Sequence, residues 1–399
     1  MEQNRKKTII IGCGIAGPTL ALALNKAGIN SEIYEAQKKP PNFGLLSLTS
    51  NGINILKMLD VYNSIKVDDS AKIFFYNYSG RNIFKMDFGG WMREKFGSGM
   101  IIIRRENLIR EMTQKGISNG TTVEFGKRLV EIKETDDKVT VHFEDGTCAE
   151  GDFLIGCDGL RSKTRTIIIP DAPLPEYSGT VVIGSELGKT ADHNLESNAF
   201  HMTLAKNTLC GASVEIDNNM VWWSYIPYPE ESIKTELKDI SYEQWTKKLL
   251  EFHKDDSQIK RFIKMSRDYV KIPIYSIPHL DKWYRGRVCL IGDAAHATSP
   301  HIGQGAAASM EDAVVLAKCL RDIPDFKQSF AKFESFRKDR VEKIVREAQK
   351  SGKIFLRSGI LGKVVARIFL KFGLRESNFK KGQNWIFSYK IDWDEKIKI

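Results

Sequence analysis

Residues 8–18 read Thr-Ile-Ile-Ile-Gly-Cys-Gly-Ile-Ala-Gly-Pro, and Glu35 closes a second apolar run further along the chain. The apolar residues Ile9 to Ile11 predict a buried strand of a parallel sheet, because such strands are continuous hydrophobic runs. A helix is predicted from about Ala16 to Lys26. Strand, glycine-rich turn, helix and second strand in this order predict a βαβ unit at the start of an α/β fold.

The glycine spacing in this unit predicts a binding site for a dinucleotide. Gly12, Gly14 and Gly17 form a Gly-x-Gly-x-x-Gly turn that lets the backbone approach a pyrophosphate. Ala16 opens the helix, whose N-terminal N–H groups favour that anion. Glu35, 18 residues after Gly17, can accept hydrogen bonds from ribose hydroxyls. At this point FAD and NAD fit equally well.

Composition indicates a soluble globular protein. The chain has 399 residues, 42% hydrophobic and 28% charged, which suits two domains and leaves no segment with the uncharged length of a membrane span. The six cysteines are scattered, as expected in a reducing cytoplasm, and predict neither disulfides nor zinc. His296 and His301 lie close together but lack a third ligand, so no metal site is expected.

The net charge of +10 is concentrated at one end. Residues 351–399 hold eleven Lys or Arg against four Asp or Glu, so they carry +7 and the remainder is nearly balanced. A basic surface spread over the whole fold would indicate nucleic-acid binding, and none is expected here.

Helical and strand patterns alternate in three separate stretches, with β-rich stretches between them. We therefore predict an α/β fold in which one Rossmann-like domain is interrupted twice by a second, β-rich domain. The first domain takes residues 1–70, 101–175 and 281–350, and the second takes 71–100 and 176–280. Residues 351–399 form a C-terminal amphipathic helix and tail.

Three further motifs point to one family. They are Gly156-Cys157-Asp158-Gly159, Gly292-Asp293 followed by Pro300-His301-Ile302-Gly303-Gln304-Gly305, and Arg105-Glu106-Asn107-Leu108. With these motifs in this order, the sequence resembles the class A FAD-dependent aromatic hydroxylases of the para-hydroxybenzoate hydroxylase fold over about 350 residues. Within that family it looks most like the branch of urate hydroxylase, salicylate hydroxylase and zeaxanthin epoxidase.

The resemblance implies FAD as cofactor and assigns its contacts. By it, Asp293 binds the ribityl chain, and Arg105 reaches the flavin side of the cofactor near the diphosphate. The loop with Pro300, Gly303, Gln304 and Gly305 lies against the isoalloxazine. Asp158, with Arg161 and Arg165, takes part in handling FAD and NAD(P)H.

The same resemblance implies a monooxygenase. NADH or NADPH would reduce the flavin, O2 would add to it, and the resulting C4a-hydroperoxide would hydroxylate or epoxidise an aromatic or conjugated small molecule. No catalytic acid or base is then expected from the protein. Two alternatives remain open: a tetracycline-type enzyme that inactivates an antibiotic, and an FAD-binding redox protein without oxygenase activity. The Trp-x-Trp-x-Ile-Pro signature of flavin-dependent halogenases fails at Ser224, which leaves halogenation remote.

Substrate contacts are expected from the second domain. The candidates are His201, Trp223, Tyr225 and Pro300. In a strand Trp223 and Tyr225 share one face, and Trp222 and Ser224 share the other. Urate-type enzymes place a basic residue where Asn207 or Thr208 stands here, so urate is not the expected substrate.

The basic tail has a helical period. Lys363, Arg367, Lys371 and Arg375 recur every four residues beside an apolar face. Residues 353–375 could therefore make a weak contact with a membrane surface, dock on the FAD-binding domain, or bridge the two domains.

Overall fold

The computed structural model describes residues 6–39, 44–189, 194–355 and 376–398. Its strands are β1 (Lys7–Ile11), β2 (Asn30–Glu35), β3 (Leu45–Leu48), β4 (Lys72–Asn77), β5 (Asn82–Met86), β6 (Ile101–Arg104), β7 (Thr122–Phe125), β8 (Leu129–Glu134), β9 (Val139–Phe143), β10 (Cys148–Gly151), β11 (Phe153–Gly156), β12 (Glu176–Lys189), β13 (Ala199–Leu204), β14 (Leu209–Val214), β15 (Asn219–Pro227), β16 (Val270–Ser276), β17 (Tyr284–Arg285) and β18 (Val288–Leu290).

The helices connect these strands or cover the sheets. They are α1 (Ala16–Lys26), α2 (Ser50–Met58), α3 (Phe88–Phe96), α4 (Arg105–Ser118), α5 (Lys163–Ile168), α6 (Glu230–Asp239), α7 (Tyr242–Phe252), α8 (Ser257–Met265), α9 (Asp293–His296), α10 (Gly305–Asp322), α11 (Phe326–Phe355) and α12 (Glu376–Phe387), with a 3₁₀ turn at Pro300–Ile302.

A six-stranded sheet forms the Rossmann-like part, in the order β17-β18-β11-β1-β2-β7. Strand β1 lies parallel between β11 and β2, with Ile10 opposite Ile155 and Ile33. Ile9 to Ile11 are no more than 4% exposed. Both faces of β1 are covered, which is why its hydrophobic run is continuous. The predicted strand, glycine turn and helix are confirmed.

A seven-stranded sheet forms the second part, in the order β16-β12-β15-β14-β13-β4-β5. Its strands come from two separate stretches of chain, 72–86 and 176–276. The predicted fold class, an α/β fold whose Rossmann-like part is interrupted by a β-rich part, is confirmed. Residues 88–96 differ from the expected strands and form α3. Asp87 caps this helix by accepting the Gly90 N–H at 3.0 Å, a local hydrogen bond that favours a helix at this point.

The two faces of this sheet pack against different partners, as the predicted alternation requires. Trp222 and Val181 share one face with Trp245 of α7 and Phe262 of α8. The opposite face carries a cluster of Leu209, Tyr225 and Ile274, with Val182, Met202, Leu204 and Trp223 packed against it. This second cluster, which we call the aromatic face, is the one that meets the Rossmann-like part.

The C-terminal part differs from expectation at its start. Helix α11 runs from Phe326 to Phe355, so the predicted boundary at residue 351 lies inside a continuous helix. The cationic helix proposed for 353–375 falls outside the described residues after Phe355. In the last part of the chain, Ile386 and Phe387 at the end of α12 pack on Phe88 and Phe96 of α3. No helix in the described ranges combines the length and apolar character needed to cross a bilayer.

Candidate functional site

The glycine turn between β1 and α1 is built to admit a ligand on one side only. Gly12 has a φ of +108°, and a Cβ there would lie 2.5 Å from the carbonyl oxygen of Cys157. A Cβ on Gly17 would lie 2.1 Å from the carbonyl oxygen of Gly12. At Gly14, in contrast, an added Cβ would meet nothing within 4 Å. Gly12 and Gly17 therefore shape the turn, and Gly14 borders the open space that an approaching pyrophosphate needs.

Glu35 lies beside this turn at the end of β2. Its Oε2 accepts the N–H of Cys13 at 2.7 Å, and its Oε1 accepts the N–H of Gln37 at 2.8 Å. Each carboxylate oxygen keeps a second lone pair, so ribose hydroxyls can still donate to it. Pro18, the third residue of α1, has no N–H to leave unsatisfied in the first turn.

Two predicted cofactor contacts have no side-chain partner among the described residues. Arg105 is exposed at the start of α4, and its guanidinium makes no hydrogen bond or ion pair with the described residues. Asp293 opens the short helix α9 and is half-buried, again without a side-chain partner in the described part. The preceding Gly292 has a φ of +59°, and a Cβ there would meet Ser309 Oγ at 2.8 Å. These free charges suit a diphosphate and a polyol respectively.

The Asp158 carboxylate accepts hydrogen bonds from the turn and the helix that follow it. The carboxylate accepts the Ser162 hydroxyl at 2.5 Å and both the N–H and the hydroxyl of Thr164 at 2.9 Å. Burial raises its pKa, and these hydrogen bonds oppose the rise. Arg165 donates to the carbonyl oxygens of Ala294 and Leu160 at 2.8 Å, which ties this turn to α9. Asp158 thus holds this turn and Arg165 ties it to α9, while Arg161 is exposed. Their expected part in handling FAD and NAD(P)H stays a prediction.

Gln304 anchors the loop expected at the isoalloxazine, because its side chain hydrogen-bonds to residues at the start of α2. This side chain is 1% exposed, and its Nε2 donates to Thr49 Oγ1 at 3.1 Å. Its Oε1 accepts from Asn51 Nδ2 at 3.1 Å. The side chain thus points into α2, so only the backbone of Gln304 is placed to face a cofactor. Pro300 is exposed, Gly303 has a φ of +62°, and Gly305 begins α10 directly after the loop.

The aromatic face meets this loop through Tyr225. The rings of Tyr225 and His301 are stacked, with centroids 4.7 Å apart and planes 24° apart. Trp223 stands edge-on to Tyr225 at 5.3 Å. Two of the predicted substrate residues, Trp223 and Tyr225, are therefore brought to the loop that contains Pro300.

His201 is separated from that group. It pairs across the sheet with Ala212, which pairs with Trp222, so it lies on the face opposite Trp223 and Tyr225. It is 1% exposed, and its ring nitrogens contact Tyr76 Oη at 3.0 Å and the Glu196 carbonyl at 2.8 Å. We correct its predicted role as a substrate contact. Which residues of β13 share a face with Trp223 and Tyr225 of β15 depends on the register of the strands, and the sequence does not specify that register.

A buried ionic network behind the loop was missed. Glu311 and Asp312 of α10 are fully buried, as is Arg337 of α11, which pairs with both carboxylates at 2.7 Å. Burial would raise the pKa of Glu311, but the charges of Arg337 and Arg340 outweigh it and the pKa is lowered. Two adjacent acids within the mostly apolar stretch 306–317 of α10 were the available signal, since buried carboxylates need buried partners.

A hydrogen-bonded Ser-His-Asp triad was also missed, because Ser224 lies 29 residues before the neighbouring His253 and Asp256. Ser224 Oγ lies 3.0 Å from His253 Nε2, and His253 Nδ1 lies 2.9 Å from Asp256 Oδ2. All three are at most 1% exposed and lie between the sheet and its helices, on the face of Trp222. A substrate cannot reach these side chains. Their hydrogen bonds therefore connect the seven-stranded sheet to the helices that cover it, and they do not form a hydrolase site.

The Rossmann-like sheet and the open glycine turn define a dinucleotide-binding protein. The FAD binding domain family matches residues 5–348. The chain is 30% identical to an FAD-dependent urate hydroxylase of Klebsiella oxytoca, over 86% of this chain and 89% of that one. It is 25% identical to a 6-hydroxynicotinate 3-monooxygenase of Bordetella bronchiseptica, over 86% and 91% of the two chains.

A solved structure agrees with these relatives. Klebsiella pneumoniae HpxO, complexed with FAD and uric acid, superposes with a TM-score of 0.85 at 26% identity, covering 96% of each chain. The chain therefore belongs to the FAD binding domain family and is a class A flavin-dependent monooxygenase.

Proposed function

We propose that this enzyme uses NADH or NADPH to reduce its flavin, and O2 as the source of the oxygen atom it transfers to an aromatic or conjugated small molecule. The transferring species would be the flavin C4a-hydroperoxide. Bound FAD supplies the redox and oxygen chemistry, and the protein supplies binding, orientation and the exclusion of water.

The residues present fit FAD. The open side of Gly14 leaves room for a pyrophosphate, and Glu35 keeps lone pairs for ribose hydroxyls. Arg105 and Asp293 are charged groups without protein partners in the described chain, and they would hold the diphosphate region and the ribityl chain. The N-terminus of α10 follows the loop at Gly305, so its N–H groups would favour negative charge on a reduced ring.

The contact between Tyr225 and His301 carries the substrate part of the proposal. It joins the aromatic face to the predicted flavin loop at 4.7 Å, so a planar molecule held on this face would lie beside the loop. Trp223 and Tyr225 offer ring surfaces for such a molecule. The two relatives named above act on heteroaromatic rings, which agrees with a ring-shaped substrate.

Anaerobic mixing tests the proposal. We expect NADH or NADPH to bleach the flavin absorbance, and we expect a matching aromatic compound to accelerate the bleaching. With ¹⁸O₂ the product should gain one labelled oxygen atom for each nicotinamide oxidised. Bound FAD that neither nicotinamide reduces with any ring compound, or product without label, would contradict the proposal and favour a redox protein without oxygenase activity.

A further inference from the structure

An imidazole with two unpartnered nitrogens lies where the predicted flavin loop meets the aromatic face. Neither Nδ1 nor Nε2 of His301 has a hydrogen-bond partner in the described chain, and both atoms are buried. One side of the ring stacks on Tyr225. Gly352 of α11 abuts the ring as well, since a Cβ there would lie 2.7 Å from Cε1. Buried nitrogens are almost always hydrogen-bonded, so this pair points to a ligand that completes them.

The aromatic face beside His301 offers ring surface without charge. Met202, Gly211, Trp223 and Gly184 form one row across four neighbouring strands. The two glycines flank Trp223, so no side chain rises beside its indole on either neighbouring strand. A flat molecule can therefore lie in this row next to Tyr225.

Among the described residues, the cation at the far end of this face is already neutralised. Arg104, from the end of β6, pairs with Glu186 and with Glu215, the second at 3.0 Å. Lys206, which follows β13, is directed to Asp255 at 2.8 Å. Neither cation is free to neutralise a carboxylate on a bound ring, and burying an uncompensated carboxylate is strongly unfavourable.

Building on the function proposed above, we propose that the substrate is an uncharged aromatic or heteroaromatic ring that hydrogen-bonds to His301, and that the site rejects ring carboxylates. Burial lowers the pKa of His301 to about 4, so at neutral pH one ring nitrogen donates and the other accepts. A ring bearing both an acceptor and an N–H or O–H donor would satisfy the imidazole.

Matched acid and amide probes test this with the FAD-loaded protein. We would titrate 3-hydroxybenzamide against 3-hydroxybenzoate, and 6-hydroxynicotinamide against 6-hydroxynicotinate. Binding would be followed by the change in flavin absorbance and by calorimetry, neither of which needs turnover. We expect each amide to bind at least about tenfold more tightly than its acid. Equal binding, tighter binding of the acids, or no amide binding up to the solubility limit would overturn the proposal.

Variants assign the preference to His301. His301→Leu should weaken amide binding at least about tenfold, and His301→Asn, which keeps a donor and an acceptor, should restore most of it. His301→Lys should shift the preference toward the acids. His142→Asn on β9 is the matched control and should change nothing. If His301→Leu retains full amide affinity, the proposal is wrong even when the enzyme hydroxylates, whereas failure of flavin reduction bears on the proposed function alone.

Discussion

Arg340 of α11 holds Glu311 of α10 in a bidentate ion pair, with 2.8 Å from Nε to Oε2 and 2.8 Å from Nη2 to Oε1. The same guanidinium donates to the carbonyl oxygens of Trp385 and Ile386 at 3.0 Å. Glu311 in turn accepts from Asn51, which also donates to Gln304. One chain of hydrogen bonds thus connects the C-terminal segment to the loop that is expected to face the flavin.

The first prediction concerns Glu311→Gln. This change leaves Arg337 and Arg340 without one of their buried counter-charges, so we expect the free energy of unfolding to fall by about 3–5 kcal/mol. Urea unfolding followed by circular dichroism measures it. Glu347→Gln on α11 removes an exposed pair with Lys350 and should cost no more than about 1 kcal/mol. Equal losses in the two variants would show that the buried network contributes no special stability.

The second prediction separates folding from cofactor binding in the glycine turn. Gly14→Ala places its methyl group in open space, so the stability of the FAD-free protein should change by no more than about 0.5 kcal/mol. The same methyl group would occupy the path of the pyrophosphate, so FAD should bind at least about tenfold more weakly. Gly17→Ala should impair both properties, because its Cβ would overlap the Gly12 carbonyl oxygen. Tight FAD binding by Gly14→Ala would place the pyrophosphate elsewhere.

Local patterns were sufficient to predict the first βαβ unit. Its strand, turn and helix depend on residues within about 30 positions of one another. Helix α10, from Gly305 to Asp322, likewise follows from the apolar pattern of its own segment. In each of these cases the hydrophobic period is carried by the segment itself.

Contacts between distant segments were not predictable in the same way. Gln304 belongs to a motif that indicated cofactor contact, yet its side chain is used by Thr49 and Asn51, some 250 residues earlier. His201 was grouped with Trp223 and Tyr225 although strand register places it on the other face. Which side of a sheet faces a site, and which polar groups are already paired, are decided by tertiary packing.

The third prediction tests Arg105 as a cofactor contact. Removing a charge-assisted hydrogen bond to phosphate costs roughly 1.5–3 kcal/mol, so Arg105→Ala should raise the Kd for FAD roughly 10- to 150-fold. Fluorescence titration of the FAD-free protein measures this change. Arg110 on the same helix contacts Glu111 and Asn107 in the described part of the chain, so Arg110→Ala should leave the Kd unaltered. Equal Kd values in both variants would remove Arg105 from the site.

The fourth prediction follows from the lowered pKa of His301. Between pH 6.5 and about 4 the unfolded chain binds a proton at this residue that the folded chain does not. Stability is therefore fully present above about pH 6.5 and falls as the pH drops through this window, by up to about 3 kcal/mol. His301→Asn should flatten this part of the profile of unfolding free energy against pH. His142→Asn serves as the control, and an unchanged slope in His301→Asn would contradict the prediction.

The last prediction concerns the Ser224-His253-Asp256 chain, whose distances alone would suit a hydrolase. None of the three side chains is more than 1% exposed, and Asp256 also accepts the backbone N–H of Lys206 at 3.3 Å. We therefore expect a fluorophosphonate probe to leave Ser224 of the native protein unlabelled. Ser224→Ala should lower the unfolding free energy by about 1–3 kcal/mol, because it leaves the buried His253 nitrogen unpartnered. Ser335→Ala, at an exposed position on α11, should be nearly neutral. Because the Ser224 face packs on α7 and α8, labelling of Ser224 would mean that these helices open in solution and that the chain has a second reactive site.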